Sequence, residues 1–183
     1  MIVNIRGTSG SGKTYLVRQL MAACNAQPVL DENGKIDAYR LDGNIYVLGK
    51  YTNICGGCDT IHTQDEVCDR VRKYAAMGHV IFEGLLATAI WKRYQTLSQE
   101  LGGMVWAFMD TSLEQCFENI YKRNGGKPVK EQNTISKWEG ARNVCEKAKE
   151  AGERVIWFHY ENAFDELVAL LHEEIPFYEE ASV

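Results

Sequence analysis

The chain has 183 residues, 45% hydrophobic and 25% charged, with a formal net charge of −5. That is the size and balance of one globular domain over residues 1–183, and it excludes a disordered chain. No apolar run is long enough to span a membrane and no basic-then-apolar leader opens the chain, so a cytoplasmic protein without membrane partners is expected, and the acidity argues against a broad basic nucleic-acid surface.

Residues 2–6 form a β-branched run suited to a buried parallel strand. A helix is expected from Lys13 to about Cys24, with Leu16, Leu20 and Cys24 on one face. Residues 35–41 and 44–51 read as strands joined by Asp42-Gly43-Asn44, a hairpin signal. A loop over residues 53–60 follows. Thr63-Gln64-Asp65-Glu66 is a capping box, with Val67, Val71, Tyr74 and Ala75 at helical spacing behind it. Residues 79–82 read as a second buried strand ending at Glu83-Gly84. A helix from about Thr88 to Glu100 leads to a third strand, residues 104–109, ending at Asp110. Thr111-Ser112-Leu113-Glu114 reads as another capping box, and Asn124-Gly125-Gly126-Lys127-Pro128 breaks the helix behind it. A helix over about residues 134–151, a strand over 154–160 and a final helix ending before Pro176 complete the chain. Alternating strands and helices predict a three-layer α/β/α fold with a parallel central sheet, and the hairpin reads as an insertion at the sheet edge or beside the site.

Gly7-Thr8-Ser9-Gly10-Ser11-Gly12-Lys13-Thr14 matches the P-loop pattern G-x-x-x-x-G-K-[ST] at every fixed position. It also lies where the mechanism requires, between an apolar strand and an amphipathic helix. Its glycines let backbone N–H groups turn toward phosphate oxygens, and the helix N-terminus adds partial positive charge. Lys13 would reach the β- and γ-phosphates of ATP, and the Thr14 hydroxyl would hold Mg²⁺.

The fate of the phosphate rests on the other elements. No Asn/Thr-Lys-x-Asp element for guanine occurs late in the chain, which argues against a switch GTPase. The strand end Phe82-Glu83-Gly84 carries a lone acid before glycine, a pattern of small phosphotransferases rather than motor ATPases. Glu83 is read as the acid that orients Mg²⁺ through water, or as the base on the acceptor hydroxyl. Asp110, next to a capping box, reads as a helix N-terminal charge. The loop Cys55-Gly56-Gly57-Cys58-Asp59 brings backbone close to something at its glycines, and Asp59 is the first candidate for general base. Residues 119–133 resemble a mobile basic lid, apart from the hairpin and acceptor region at about residues 35–62, with Arg123 chosen to neutralise charge on the transferring phosphoryl and Lys122, Lys127 and Arg142 as alternates. Tyr39, Tyr46 and Tyr51 could stack on a base or form one packed face. Cys55 and Cys58 lack a second pair at zinc-site spacing, so a tight Gly-Gly loop between thiols is the preferred reading.

These residues resemble the P-loop kinases of the nucleotide-kinase superfamily, through the P-loop, the Glu83-Gly84 strand end, the basic lid and the βα order across nearly the whole chain. More narrowly, the segment from Ile5 to Thr14, the Cys55-Gly56-Gly57-Cys58-Asp59-Thr60 loop and Ile81-Phe82-Glu83-Gly84-Leu85 look like a bacteriophage group similar to the kinases of 5-hydroxymethyluracil in phage DNA. The resemblance implies an ATP- and Mg²⁺-dependent kinase acting on a hydroxymethylated pyrimidine, in the host cytoplasm if phage-encoded. A free nucleotide or small-metabolite kinase, and a nucleotide-dependent interaction protein with slow hydrolysis, stay open beside it. The acidity is local: residues 161–183 carry seven acids and no Lys or Arg, which leaves residues 1–160 at +2.

Overall fold

A computed structural model describes residues 1–127 and 130–175. Pro128 of the expected lid, and Glu179 and Glu180 of the acidic tail, lie outside the described residues.

Seven strands form one sheet: β1 (Ile2–Arg6), β2 (Gln27–Leu30), β3 (Ile36–Leu41), β4 (Ile45–Leu48), β5 (His79–Glu83), β6 (Val105–Asp110) and β7 (Arg154–His159), in the order β2-β3-β4-β5-β1-β6-β7. From β4 to β7 every pairing is parallel, and β2 and β3 extend that sheet in antiparallel fashion. The expected hairpin at Asp42-Gly43-Asn44 is present, yet it is no appendage: its second strand is a full member of the parallel sheet, paired with β5.

The central strands read as continuous apolar runs because helices cover both faces. Helices α1 (Lys13–Ala23) and α7 (Ala163–Glu174) bury Leu16, Val17, Leu20, Leu167 and Leu171 against Val3, Ile5, Ile81 and Ala107 on one side. On the other, α2 (Gln64–Ala75), α4 (Lys92–Glu100) and α6 (Glu131–Glu150) bury Val67, Val71, Leu97, Val144 and Ala148 against Val80, Phe82, Trp106 and Phe108. The four-residue helix α3 (Leu85–Thr88) and α5 (Leu113–Arg123) follow the ends of β5 and β6, beside the P-loop.

Three local expectations are corrected. The helix expected to run unbroken from Thr88 to Glu100 is interrupted at residues 89–91, because the Arg6 guanidinium takes the carbonyls of Ala87, Thr88 and Ile90 at 3.0, 3.0 and 3.2 Å. The cap of α5 is Ser112, whose hydroxyl accepts from the Gln115 amide at 3.1 Å, while Thr111 donates its hydroxyl to Ser11 O at 2.8 Å. Strand β2 is an additional element, an exposed edge strand that tolerates Pro28 because an edge leaves one side of its ladder unpaired.

Candidate active site

The P-loop leaves β1 and enters α1 through two glycines in the left-handed region, Gly10 (φ 78°) and Gly12 (φ 96°). A methyl group at Gly10 would sit 2.3 Å from the Cys116 carbonyl, so the loop is pressed against α5. Gly12 is the N-cap of α1 and offers no side-chain oxygen, which leaves the first amides of that helix for an anion. The Lys13 ammonium is buried and folds back onto the carbonyls of Gly7 (2.7 Å) and Thr8 (3.0 Å). Burial lowers its pKa, and the negative charges of Glu83 and Asp59 oppose that shift. Around the loop, Thr8 donates to Thr134 O at 3.0 Å, and the Asn119 amide donates to Gly10 O at 2.8 Å and to the Tyr160 hydroxyl at 3.1 Å.

Thr14 donates its hydroxyl to Glu83 Oε1 at 2.9 Å, while Glu83 Oε2 and the Tyr51 hydroxyl are both buried with no hydrogen-bond partner among the described residues. Burial drives the Glu83 carboxyl up to about 7 against the pull of Lys13 and Thr14. Burial and the Glu83 charge push the Tyr51 phenol well above its ordinary range. The Gly-Gly loop has a steric origin. A methyl at Gly56 would meet Tyr51 at 2.8 Å and Thr14 at 3.2 Å, and one at Gly57 (φ 68°) would meet the Glu83 carbonyl and Oε1, each at 2.6 Å. A hydroxyl and a carboxylate with one free oxygen thus share one corner beside the P-loop lysine, and the two oxygen groups suit a hard divalent cation such as Mg²⁺.

Asp59 lies at the same strand end. Its carboxylate takes the Leu85 amide at 2.9 and 3.0 Å and the Leu86 amide at 3.4 Å, capping α3. The space over Gly84 is filled by Asp59 Oδ1 and Cys58 Cβ, each 3.2 Å from where a methyl would sit. The exposed Arg123 ends α5, and its charge is felt at Lys13. Two of its alternates are engaged elsewhere: Lys122 pairs with Glu118 at 3.6 Å, and Arg142 lies 3.9 Å over the Trp138 ring and 3.9 Å from Asp110. Asp110, at the end of β6 just before α5, thus also faces Arg142. The third alternate, Lys127, is exposed.

These arrangements are those of a phosphotransferase, and comparison with known proteins decides which. A family model described as 5-hmdU DNA kinase matches residues 1–155. The chain belongs to the 5-hmdU DNA kinase family. It is 36% identical over 181 residues to the 5-hmdU DNA kinase of Pseudomonas phage M6, covering 92% of this chain and 96% of that protein. It is 35% identical over 182 residues to that of Pseudomonas phage PaMx11, covering 93% and 96%. Among solved structures, a gluconokinase from Sinorhizobium meliloti 1021 shares the fold, with a TM-score of 0.53 and 15% identity over 95% of this chain and 93% of that one. This family member is an ATP-using P-loop kinase with a nucleotide or DNA acceptor, and no helix among its described residues is long and apolar enough to cross a membrane.

Sequence reasoning left the tyrosines open between base stacking and one packed face. Tyr39, Tyr46 and Tyr51 are all buried, on two different faces: Tyr39 meets Tyr51 edge-on at 6.1 Å, and Tyr46 packs on Tyr74 at 4.8 Å. Cys58 is a buried thiol with its pKa pushed up by burial and by Glu83, and Cys55 is exposed. Two features of this kinase's site have no counterpart among the sequence expectations: the hydroxyl of Tyr51 and the side chain of Arg6. Tyr51 ends in the corner with Glu83, and Arg6 is fully buried one residue before the P-loop. The signal for Arg6 was a lone charge inside an otherwise buried strand.

Proposed function

We propose that this kinase transfers the γ-phosphoryl of ATP to the 5-hydroxymethyl oxygen of 5-hydroxymethyluracil in DNA, in the cytoplasm of an infected host. The observation that carries this reading is the convergence at one strand end of the P-loop lysine, the Thr14–Glu83 pair and Asp59. The names of the relatives support the acceptor, and their phage origin supports the location.

The backbone of Gly7, Thr8, Ser9, Gly10, Ser11 and Gly12 wraps the β-phosphate, and the amides at the start of α1 point at it. Lys13 leaves the carbonyls of Gly7 and Thr8 for the β- and γ-phosphate oxygens, exchanging two neutral acceptors for charged ones. Thr14 and Glu83 would hold Mg²⁺, which would supply positive charge to offset the phosphates. Asp59 orients the acceptor hydroxyl and takes its proton as the oxygen attacks the γ-phosphorus. The new C–O–P bond forms while the bond to the β,γ-bridging oxygen breaks, and ADP leaves. Arg123 closes on the equatorial oxygens as charge spreads over them.

The test is incubation with γ-labelled ATP and one of three acceptors: an oligonucleotide containing 5-hydroxymethyluracil, the same oligonucleotide with thymine, or the free hydroxymethylated mononucleotide. Label on the first polymer alone is expected. Label on the mononucleotide alone, or phosphate release without transfer, overturns the reading.

A further inference from the structure

Arg6 is the last residue of β1 and is completely buried. No carboxylate pairs with it among the described residues. Its Nη1 reaches the carbonyls of Ala87 and Thr88 at 3.0 Å and of Ile90 at 3.2 Å. With its side-chain amide turned to satisfy both groups, Asn4 accepts from Nη2 at 2.9 Å and from Nε at 3.1 Å. The guanidinium lies 4.3 Å over the Trp106 ring and 5.1 Å from that of Tyr94. Burial lowers its pKa to about 9, so it stays cationic at neutral pH. A buried cation costs more than an apolar residue of similar volume unless its donors are used, and here they are spent on the C-terminal end of α3.

A helix of four residues does not hold itself together. This one is tied at each end. Asp59 takes the amides of Leu85 and Leu86, and Arg6 takes the carbonyls at the other end. Between them, Thr88 is fastened to the P-loop: its hydroxyl accepts from the Gly7 amide at 3.2 Å and lies 3.1 Å from Gly7 O and 3.0 Å from Gly84 O. Ala87 and Thr88 are buried, whereas Leu86, next to the Asp59 carboxylate, is 53% exposed. An apolar side chain held outward on a rigid turn, beside a carboxylate at the phosphoryl-transfer corner, suits the flat face of a pyrimidine whose hydroxyl must reach that carboxylate.

We propose that α3 is a preformed shelf for the acceptor pyrimidine, with Leu86 as the side chain that contacts the ring and Arg6 as the positioning residue that fixes the shelf to the P-loop strand. This rests on the acceptor reading above. Arg6 touches neither substrate. It sets where Leu86 and the Asp59 carboxylate stand relative to the γ-phosphate.

The experiment measures the wild type first, on the hydroxymethyluracil oligonucleotide, and then Leu86→Ala and Arg6→Lys, with ATP affinity followed separately by calorimetry and folding by thermal melting. Leu86→Ala is expected to raise the acceptor KM about tenfold, the scale of a lost apolar contact, with ATP affinity within twofold. Arg6→Lys keeps the charge and loses the fork of donors. It is expected to lower kcat/KM for the oligonucleotide at least tenfold while ATP affinity changes less than threefold. An acceptor KM unmoved by Leu86→Ala overturns the shelf even if Arg6→Lys fails to fold. Equal losses of ATP and acceptor binding in a folded Arg6→Lys assign Arg6 to the P-loop and overturn its positioning role. A wild type inactive on the oligonucleotide removes the acceptor reading and the shelf together, a result distinct from an active wild type with indifferent variants.

Discussion

Thr14 and Glu83 are joined by a 2.9 Å hydrogen bond across the P-loop helix and the end of β5, and the second oxygen of Glu83 is left buried with no hydrogen-bond partner among the described residues. The carboxyl is held up to about 7 by burial, against an ordinary 4.5. Between those values the folded chain holds a proton that the unfolded chain has released, so in the nucleotide-free protein stability falls as pH rises from about 4.5 to about 7. The difference is on the order of 3 kcal/mol. Glu83→Gln keeps the shape and removes the titration. Urea midpoints at pH 5 and pH 7.5 should show the wild type losing stability relative to Glu83→Gln. A difference independent of pH would mean that the carboxyl is not desolvated.

Lys13 rests on the carbonyls of Gly7 and Thr8, which hold it in place without a phosphate. Lys13→Ala should lower transfer by about 10³-fold, since it removes a charge aimed at the transferring group. The far-UV spectrum and melting cooperativity should be retained. Transfer within tenfold of wild type would place the phosphates elsewhere.

The P-loop was legible because phosphate binding demands particular residues at fixed spacing, and the parallel sheet because strands buried on both faces show as unbroken apolar runs. What escaped were features decided by distant partners. The break at residues 89–91 depends on Arg6, 81 residues away from Ala87, and the shift of the α5 cap depends on Ser11 claiming the Thr111 hydroxyl. Strand β2 carries Pro28 and lies mostly exposed at an edge, so neither propensity nor alternation announced it. By sequence, Tyr51 groups with Tyr39 and Tyr46 as a ring to be packed or stacked. Spacing places a ring on a face but says nothing of a hydroxyl left unpartnered among the described residues beside a carboxylate from another strand.

Gly57 separates steric need from simple turn preference. Its φ of 68° is left-handed, and a methyl there would press on the Glu83 carbonyl and Oε1 at 2.6 Å. Gly34 has a similar φ of 73° with nothing within 4 Å. Gly34→Ala should cost only the backbone strain, about 1–2 kcal/mol, with activity retained. Gly57→Ala adds the displacement of Glu83 and should cost about 2–5 kcal/mol, with a raised Mg²⁺ requirement in whatever folds. Chemical denaturation of both variants, with Mg²⁺ titrations of their ATP-dependent activity, tests the distinction. Equal losses in the two would reduce the Gly-Gly loop to a turn.

Asp59 serves two ends that can be measured apart. Its carboxylate caps α3 through the Leu85 and Leu86 amides, and on the proposed mechanism it also takes the acceptor proton. Asp59→Asn keeps one carbonyl oxygen for the amides and has no basic oxygen for the hydroxyl. It should melt close to wild type, bind ATP normally and lose about 10²–10⁴-fold in kcat. Asp59→Ala removes the cap as well and should lose about 1 kcal/mol of stability on top of the same catalytic defect. Turnover near wild type in Asp59→Asn would leave Asp59 as a cap alone and transfer the role of base to Glu83, the other carboxylate at that strand end.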